Sequence, residues 1–205
     1  MYLIGLTGNI ACGKSTVVAM LSDLGAAVCD ADAVVHAVQA PGGVAYQAIV
    51  ETFGSSILSG GFGSPIDRAA LGRVVFSNPE QLRHLEGLVH PAVRSVIFSW
   101  VEDQIAAGAQ VAVIDAIKLI ESGYPEMCDA VWVVTATVEQ QLARLISERG
   151  MSEADARARI AAQNPQAAKI ALADVVIDNS GTLEQTRAQV QAAYSRVLEH
   201  SRPLG

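Results

Sequence analysis

An eight-residue segment near the start of the chain matches G-x-x-x-x-G-K-[ST], the pattern of phosphate-binding loops. Its glycines permit backbone angles that turn successive N–H groups toward one point, where they can bind phosphate oxygens. Lys14 can reach the β- and γ-phosphates, and the Ser15 hydroxyl can ligate Mg²⁺. The pattern therefore predicts a site for a nucleoside triphosphate. The residues expected to bind the nucleotide are Gly8, Asn9, Ile10, Ala11, Cys12, Gly13, Lys14, Ser15 and Thr16.

Two aspartates follow the second predicted strand and are candidates for the catalytic base. A carboxylate at this position could accept a proton from an acceptor hydroxyl and orient it toward the γ-phosphate. Asp32 suits that role, but its position also suits the N-cap of the next helix. Asp30 competes for either role.

Asp115 ends a third apolar run and is a candidate metal ligand. A carboxylate after such a strand commonly holds Mg²⁺, directly or through water, in proteins with this loop. The alternative interpretation of Asp115 is again a helix cap.

Arg144–Gln163 carries four arginines and is expected to form a lid. Arginine donors can stabilise the charge that develops on a transferred phosphoryl group while lid closure expels water. One or two of these four residues are expected to contact phosphate: Arg144, Arg149, Arg157 and Arg159. In the alternative interpretation the arginines line a solvated helix face and pair with nearby acids. Ser152 with Asp155 predicts a capping box that begins the second lid helix.

The composition and the missing motifs exclude several function classes. The chain has 205 residues and a formal net charge of −7, which argues against sequence-independent nucleic-acid binding. Guanine specificity is not expected, because no NKxD follows the loop and the clean DxxG comes only after the last predicted strand. No apolar run reaches the ~18 residues of a membrane span, and the chain enters the loop too early for a signal peptide.

The three cysteines show no metal-binding spacing, and their odd number fits a reducing compartment. We therefore expect a soluble cytoplasmic protein. Cys12, inside the loop, has two interpretations: a redox-sensitive thiol, or the occupant of a variable position.

Short apolar runs alternate with helical patterns, which predicts an α/β fold with a five-stranded parallel sheet flanked by helices. The predicted strands are Tyr2–Leu6, Ala26–Asp30, Val111–Asp115, Ala130–Thr135 and Asp174–Ile177. Residues 32–108 interrupt the alternation with helical patterns and the Gly/Ser-rich loop Ser59–Pro65, which suggests a helical substrate-binding lobe. With the loop motif, this pattern predicts a P-loop NTPase fold.

Several segments together resemble dephospho-CoA kinase, over nearly the whole chain. Ile4–Thr16 resembles the opening loop of that family, and Asp30–His36 is similar to its D-A-D-x-x-x-H segment, whose second aspartate is taken as the base. Leu85–Arg94 resembles the L-E-x-x-x-H-P-x-V-R signature of the CoA-binding lobe. Ala173–Gly181 resembles the last strand and the loop beside adenine. The resemblance implies that Asp32 is the base and that Asp30 is mainly structural.

The resemblance further implies ATP-dependent phosphorylation of the ribose 3′-hydroxyl of dephospho-CoA, with Mg²⁺, as the last step of CoA biosynthesis. Besides Asp32, the expected substrate-binding residues are His36, His90, Arg94, Asp115 and Lys118, and the expected metal ligands are Ser15 and Asp115. A packed histidine and a surface arginine remain the alternatives for His90 and Arg94. Pro91 is expected in the first turn of a helix.

Two departures from the family pattern leave roles open. The family usually has D-x-P-L-L-F-E after the third strand, whereas this chain has Ile117 in place of the proline and Lys118 at an apolar position. Lys118 could contact phosphate or point to solvent. The lid often shows R-x-x-x-R, whereas here Glu148 and Arg149 follow Arg144. Arg144 is favoured as an anchor, with Arg149 as a candidate for the γ-phosphate contact.

The expected organisation is one P-loop kinase domain. Its core comprises residues 1–31, 109–140 and 165–200, the CoA-binding lobe 32–108 and the lid 141–164, with a frayed tail after Glu199. The expected partners are ATP and dephospho-CoA, with no nucleic acid or membrane, in a monomer or small homo-oligomer. Alternatives are another small-molecule or nucleotide kinase, and a non-catalytic nucleotide-binding regulator.

Overall fold

The structure, a computed structural model, describes residues 1–200 of the chain, without the side chain of His200. The tail that was expected to fray, residues 201–205, lies outside this described part. The chain forms two compact units: Met1–Cys29 with the described part of Asp103–Gly205, and Asp30–Glu102. Within residues 1–200 no helix combines the length and the apolar composition that a transmembrane span needs.

The five predicted strands are confirmed, with ends that agree to within two residues. They are β1 (Tyr2–Gly8), β2 (Ala27–Asp30), β3 (Val111–Asp115), β4 (Ala130–Thr135) and β5 (Val175–Asp178). They form one sheet in the order β2-β3-β1-β4-β5, in which β1 pairs in parallel with β3 and β4, and β4 with β5. Every residue of β3 and β4 is buried, as expected for apolar strands covered on both faces.

The helices are α1 (Lys14–Asp23), α2 (Ala31–Val38), α3 (Tyr46–Phe53), α4 (Arg68–Val75), α5 (Pro79–Ala106), α6 (Val138–Arg149), α7 (Glu153–Ala161), α8 (Gln166–Ile170) and α9 (Leu183–His200). In the first unit, α1 and α9 contribute to the same buried core as the strands. In α1 the buried residues are Val17, Met20 and Leu21, as the apolar pattern predicts. The largest fully buried side chain of this core is Trp132.

The register of the sheet brings the carboxyl ends of its strands to one edge. Leu6 pairs with Asp115, Gly8 with Val134, and Thr135 with Asp178. Ligands of open parallel sheets bind outside this edge. The predicted phosphate loop leaves β1 there, between the ends of β3 and β4.

The second unit, Asp30–Glu102, consists of helices and one structured loop. A small core of Tyr46, Val50 and Leu58 packs against Ile66. Leu58 and Ile66 form an antiparallel bridge across the Gly/Ser-rich loop, and the Tyr46 hydroxyl donates to the Ser64 carbonyl at 2.6 Å. The loop is therefore closed at its base.

Pro91 lies in the interior of α5, a helix of 28 residues, so the prediction of a first-turn position is wrong. A proline in a helix interior lacks an N–H donor and crowds the carbonyl of the residue one turn earlier. That residue is Gly87, which is exposed and has no side chain, so water can reach the unpaired carbonyl. The other hydrogen bonds of this 28-residue helix keep it continuous despite the one that Pro91 cannot form.

Candidate active site

The loop Gly8–Lys14 connects β1 to α1 with a backbone that few residues can adopt. Gly13 has φ of 86°, and a Cβ atom there would overlap the side-chain amide of Asn179. At Gly8 a Cβ would lie 2.7 Å from the Val134 carbonyl oxygen. Both glycines of the motif are therefore required by close approach, and Gly13 also by its positive φ.

Side chains from elsewhere in the first unit, among them Asn179, Arg144 and Gln163, hold the loop in place. The Asn179 side-chain amide donates to the Cys12 carbonyl at 2.8 Å, and the Asn179 side-chain oxygen accepts from the Thr186 hydroxyl at 2.8 Å. Arg144 donates to the Ala11 carbonyl at 3.2 Å and to the Asn179 carbonyl at 2.8 Å. Arg144 is thus an anchor of the loop. Asn179 lies in a segment singled out by sequence, whereas no motif points to Thr186.

A cleft of about 550 Å³ opens over the loop within the first unit. All nine predicted nucleotide-binding residues, Gly8–Thr16, line it, and so do Arg144 and Arg149. The other lining residues are Ile117, Glu148, Gln163, Asn179, Gly181 and Leu183. The cleft therefore joins the loop, the start of the turn after β3, the segment predicted as a lid and the loop after β5.

The remaining lid arginines do not line this cleft. Arg157 forms an exposed salt bridge with Glu153 at 2.7 Å, one helical turn away, as the solvated-face interpretation expects. Ser152 accepts from the Asp155 N–H at 3.1 Å and caps α7, which confirms the predicted capping box.

Lys14 and Asp115 form an ion pair at the strand edge, with side chains that are 17% and 12% exposed. The helix-cap alternative for Asp115 is wrong, because the chain continues into turns after β3 rather than into a helix. The Ser15 hydroxyl, at the second position of α1, belongs to an exposed residue that lines the cleft. A hydroxyl and a carboxylate are the oxygen donors that suit Mg²⁺, which usually takes only one or two protein ligands beside substrate phosphates.

The turn after Asp115 is fixed through one carbonyl. The Ile117 carbonyl accepts from the Thr7 hydroxyl and from the Lys169 ammonium, each at 3.0 Å. Lys169 is only 7% exposed, and burial lowers its pKa. No sequence motif points to Lys169. Lys118, one residue beyond Ile117, is exposed and is not among the residues that line the cleft.

In the second unit the two candidate bases have different surroundings. Asp30 caps α2, where its carboxylate accepts from the Ala33 N–H at 3.0 Å. Asp32 lies in the first turn of the same helix and is partly buried. The capping role therefore belongs to Asp30, and the carboxylate of Asp32 is not used for it.

The other predicted substrate-binding residues of this unit are exposed side chains. His36 Nε2 lies 3.1 Å from Arg68 Nη1, and because arginine can only donate, this ring nitrogen is the acceptor. His90 and Arg94 lie one turn apart on α5 and are both exposed. The packed-histidine alternative for His90 is therefore wrong, whereas Arg94 is an arginine at the surface.

Cys12 is 1% exposed, and burial raises the pKa of its thiol. Reactive cysteines are generally accessible and have a lowered pKa. The structure therefore favours the interpretation in which Cys12 occupies a variable position of the loop.

Comparisons with known proteins match almost the whole chain to one family. The family model described as dephospho-CoA kinase matches residues 2–185. A dephospho-CoA kinase of Symbiobacterium thermophilum is 50% identical over 194 residues, which is 95% of this chain and 80% of the relative. The solved structure of a dephospho-CoA kinase from Campylobacter jejuni has a TM-score of 0.71 at 25% identity and covers 98% of both chains. A shikimate kinase from Bacteroides thetaiotaomicron, with a TM-score of 0.51 at 15% identity over 96% of this chain and 98% of that one, shows the shared P-loop kinase fold alone.

Proposed function

This chain belongs to the dephospho-CoA kinase family, and we propose that it transfers the γ-phosphoryl group of ATP to the ribose 3′-hydroxyl of dephospho-CoA. The products are CoA and ADP, so the reaction is the last step of CoA biosynthesis. The observation that carries this proposal is the cleft that the whole loop Gly8–Thr16 lines, at the carboxyl edge of the sheet.

The loop amides and Lys14 bind the phosphates of ATP in this proposal. Lys14 exchanges its contact with Asp115 for the β- and γ-phosphates when the nucleotide enters. Arg144 keeps the loop in shape through the Ala11 carbonyl. Arg149, on the cleft wall, is the candidate for contact with the transferred group, whose developing charge a guanidinium stabilises.

Ser15 and Asp115 are the residues that would hold Mg²⁺, since both of their oxygen donors suit that ion. Bound there, Mg²⁺ offsets negative charge on the triphosphate. Once Lys14 has turned to the phosphates, the Asp115 carboxylate is released from its ion pair for this role.

The second unit supplies the acceptor end of the reaction. Asp32 takes the proton of the 3′-hydroxyl, and this assignment is supported by the finding that the N-cap of α2 is Asp30. His36, His90 and Arg94 bind dephospho-CoA, and Lys118 is a further candidate from the turn after β3. In this proposal residues 32–108 are the CoA-binding lobe and residues 141–164 the lid.

The setting that suits this reaction is the cytoplasm, where ATP is the phosphoryl donor. The partners are then small molecules, ATP and dephospho-CoA, and the enzyme works as a monomer or small homo-oligomer.

The test is an ADP-release assay with Mg·ATP and either dephospho-CoA or nucleoside monophosphates as acceptors. We expect ADP release with dephospho-CoA and none with its 3′-deoxy analogue, which lacks the acceptor hydroxyl. Preference for a nucleoside monophosphate would make the protein another kinase on the same scaffold. ATP binding without acceptor-dependent ADP release would indicate a non-catalytic regulator.

A further inference from the structure

Lys169 is a buried cation that the proposed reaction does not use. It lies in α8, between the lid helices and β5, and is 7% exposed. An ammonium group has three N–H donors, and the hydrogen bond found for Lys169 is the one to the Ile117 carbonyl. Among residues 1–199 no ion pair joins Lys169 to a carboxylate, whereas Lys14 is paired with Asp115 and Arg157 with Glu153.

The hydrogen bond to Ile117 does not by itself require a lysine. The Thr7 hydroxyl, fully buried, donates to the same carbonyl at 3.0 Å, so this oxygen already has a partner. A buried ammonium is unfavourable unless an anion compensates it, and a neutral side chain of similar length would avoid that penalty. The charge of Lys169 therefore needs another explanation.

The charge lies close to the phosphate loop. Ile117, whose carbonyl Lys169 holds, lines the cleft. The pKa of Lys169 is lowered mainly by burial and further by the charge of Lys14, while Glu121 and Cys12 act in the opposite direction. The carboxylate of Glu121 accepts a hydrogen bond from the Asn164 side chain at 3.2 Å and forms no ion pair with Lys169. Two lysines thus lie near each other, and only Lys14 is in an ion pair, with Asp115, while the nearby Glu121 is hydrogen-bonded to Asn164 instead.

A multiply charged anion in the cleft would resolve this imbalance. Electrostatic interactions through a poorly polarisable interior are stronger than through water, so a cation need not line a cleft to act on its ligand. We propose that Lys169 is a positioning residue that fixes the cleft wall at Ile117 and contributes a permanent positive charge to binding of the ATP triphosphate. This inference rests on the proposed function, because it takes the triphosphate to be bound by the loop.

The test compares Lys169→Met and Lys169→Arg with the wild type, and uses Arg187→Gln as a control. Arg187 is exposed on α9 of the same unit, so its substitution makes the same change in net charge without touching the cleft. Isothermal titration calorimetry at fixed salt measures the Kd of ATP, ADP and AMP without Mg²⁺. For K169M we expect the Kd of ATP to rise about tenfold, equivalent to ~1.4 kcal/mol, with a smaller rise for ADP and none for AMP.

The companion measurements separate charge from packing. K169R should keep the Kd of ATP within about threefold of the wild type, and R187Q within about twofold, because an exposed charge is screened. In kinetics K169M should raise the KM for ATP and leave the KM for dephospho-CoA unchanged. The Tm of ligand-free K169M should equal or exceed that of the wild type, because the uncompensated charge is gone.

Other outcomes would overturn the inference. An unchanged Kd of ATP in K169M, or equal losses for ATP and AMP with a lowered Tm, would make Lys169 a packing residue. If K169M does not fold, Lys169→Gln takes its place in the experiment. If neither K169M nor K169Q folds while K169R does, the charge stabilises the protein, contrary to the inference. A wild-type protein that does not bind ATP would instead remove the proposed function.

Discussion

The two units of the chain hold their candidate site residues in opposite ways. In the first unit, the phosphate loop is held by Asn179 and Arg144, and Lys14 is paired with Asp115. In the second unit, the predicted substrate-binding residues, such as His90 and Arg94, are exposed. In the proposed function, folding itself therefore builds the nucleotide site, whereas the acceptor site is a set of exposed side chains that we expect the ligand to organise. Substitutions that disturb the contacts holding the phosphate loop should change stability and ATP binding together, and those of the candidate residues in the second unit should change catalysis or acceptor binding alone.

The largest expected effect comes from the second unit and should leave nucleotide binding intact. Asp32→Asn should lower kcat at least about 100-fold, because a general base contributes ~10²–10⁴-fold and an amide cannot take the proton. The Kd of ATP and the Tm should stay near the wild-type values. Steady-state kinetics, calorimetry and thermal unfolding measure the three quantities.

Asp30→Asn is the matched control for this substitution. Asparagine caps a helix as well as aspartate does, so α2 should be preserved and turnover should remain near wild type. If D32N turned over dephospho-CoA at the wild-type rate, Asp32 would lose its assignment as the base. If D30N were the inactive variant, the two aspartates would have to exchange roles.

The next effect is expected in the phosphate loop itself. Gly13→Ala places a Cβ against the Asn179 amide at a backbone position with φ of 86°. Because the loop must shift to admit it, we expect the Kd of ATP to rise about 100-fold, and the Tm to fall with the strain of a positive φ, which costs ~1–3 kcal/mol. Calorimetry and thermal unfolding test the two expectations.

Gly25→Ala separates the two causes. Gly25 has φ of 94° but has nothing within 4 Å of an added Cβ. Gly25→Ala should therefore lower the Tm by about as much as Gly13→Ala does and leave ATP binding unchanged. Equal losses of ATP affinity in both variants would mean that general destabilisation, and not the geometry of the loop, governs nucleotide binding.

The acceptor site should respond without any change in stability. Arg94→Ala removes an exposed guanidinium, and we expect the KM for dephospho-CoA to rise about tenfold. The Tm should be unchanged, since surface substitutions usually alter stability by less than ~0.5 kcal/mol. The Kd of ATP should be unchanged as well. Arg83→Ala, exposed on the same helix, is the control and should leave all three unchanged. Equal KM values for dephospho-CoA in the Arg94 and Arg83 variants would indicate that Arg94 is a surface residue with no role in acceptor binding.

Much of the first unit could be predicted from sequence because its signals are local. A strand buried on both faces is a continuous apolar run, which is why the ends of β3 and β4 agree with the prediction to the residue. The phosphate loop is likewise encoded in consecutive residues. Position alone could not separate Asp30 from Asp32, because both stand at the start of one helix and only the backbone geometry selects the cap.

What the sequence could not indicate depends on contacts between distant segments. Lys169 lies in a short, largely exposed helix where a lysine would ordinarily also be exposed, and only the folded chain buries it against Ile117. Pro91 was misplaced because the preference for the first turn is a tendency, and a 28-residue helix can hold a proline in its interior. Thr186 acts on the phosphate loop through Asn179, a relation that no local pattern carries.

The smallest expected effect tests whether stability and nucleotide binding are coupled in the first unit. Thr186→Val keeps the shape of the side chain but removes the hydroxyl that donates to Asn179. A buried acceptor left without its partner costs ~1–3 kcal/mol, so the Tm should fall by roughly 2–12 °C for a chain of this length. Because the same Asn179 side chain holds the Cys12 carbonyl, the Kd of ATP should also rise, by about two- to fivefold.

Ser195→Ala removes an exposed hydroxyl from the same helix and should change neither quantity. A lowered Tm in T186V with an unchanged Kd of ATP would mean that the loop keeps its geometry without Asn179. The contrast between the two units would then weaken, because the nucleotide site would be independent of the network that surrounds it. If the Tm and the Kd of ATP both changed in T186V, and only the KM for dephospho-CoA changed in Arg94→Ala, the contrast would hold. Folding would then build the nucleotide site and leave the acceptor site for its ligand to organise.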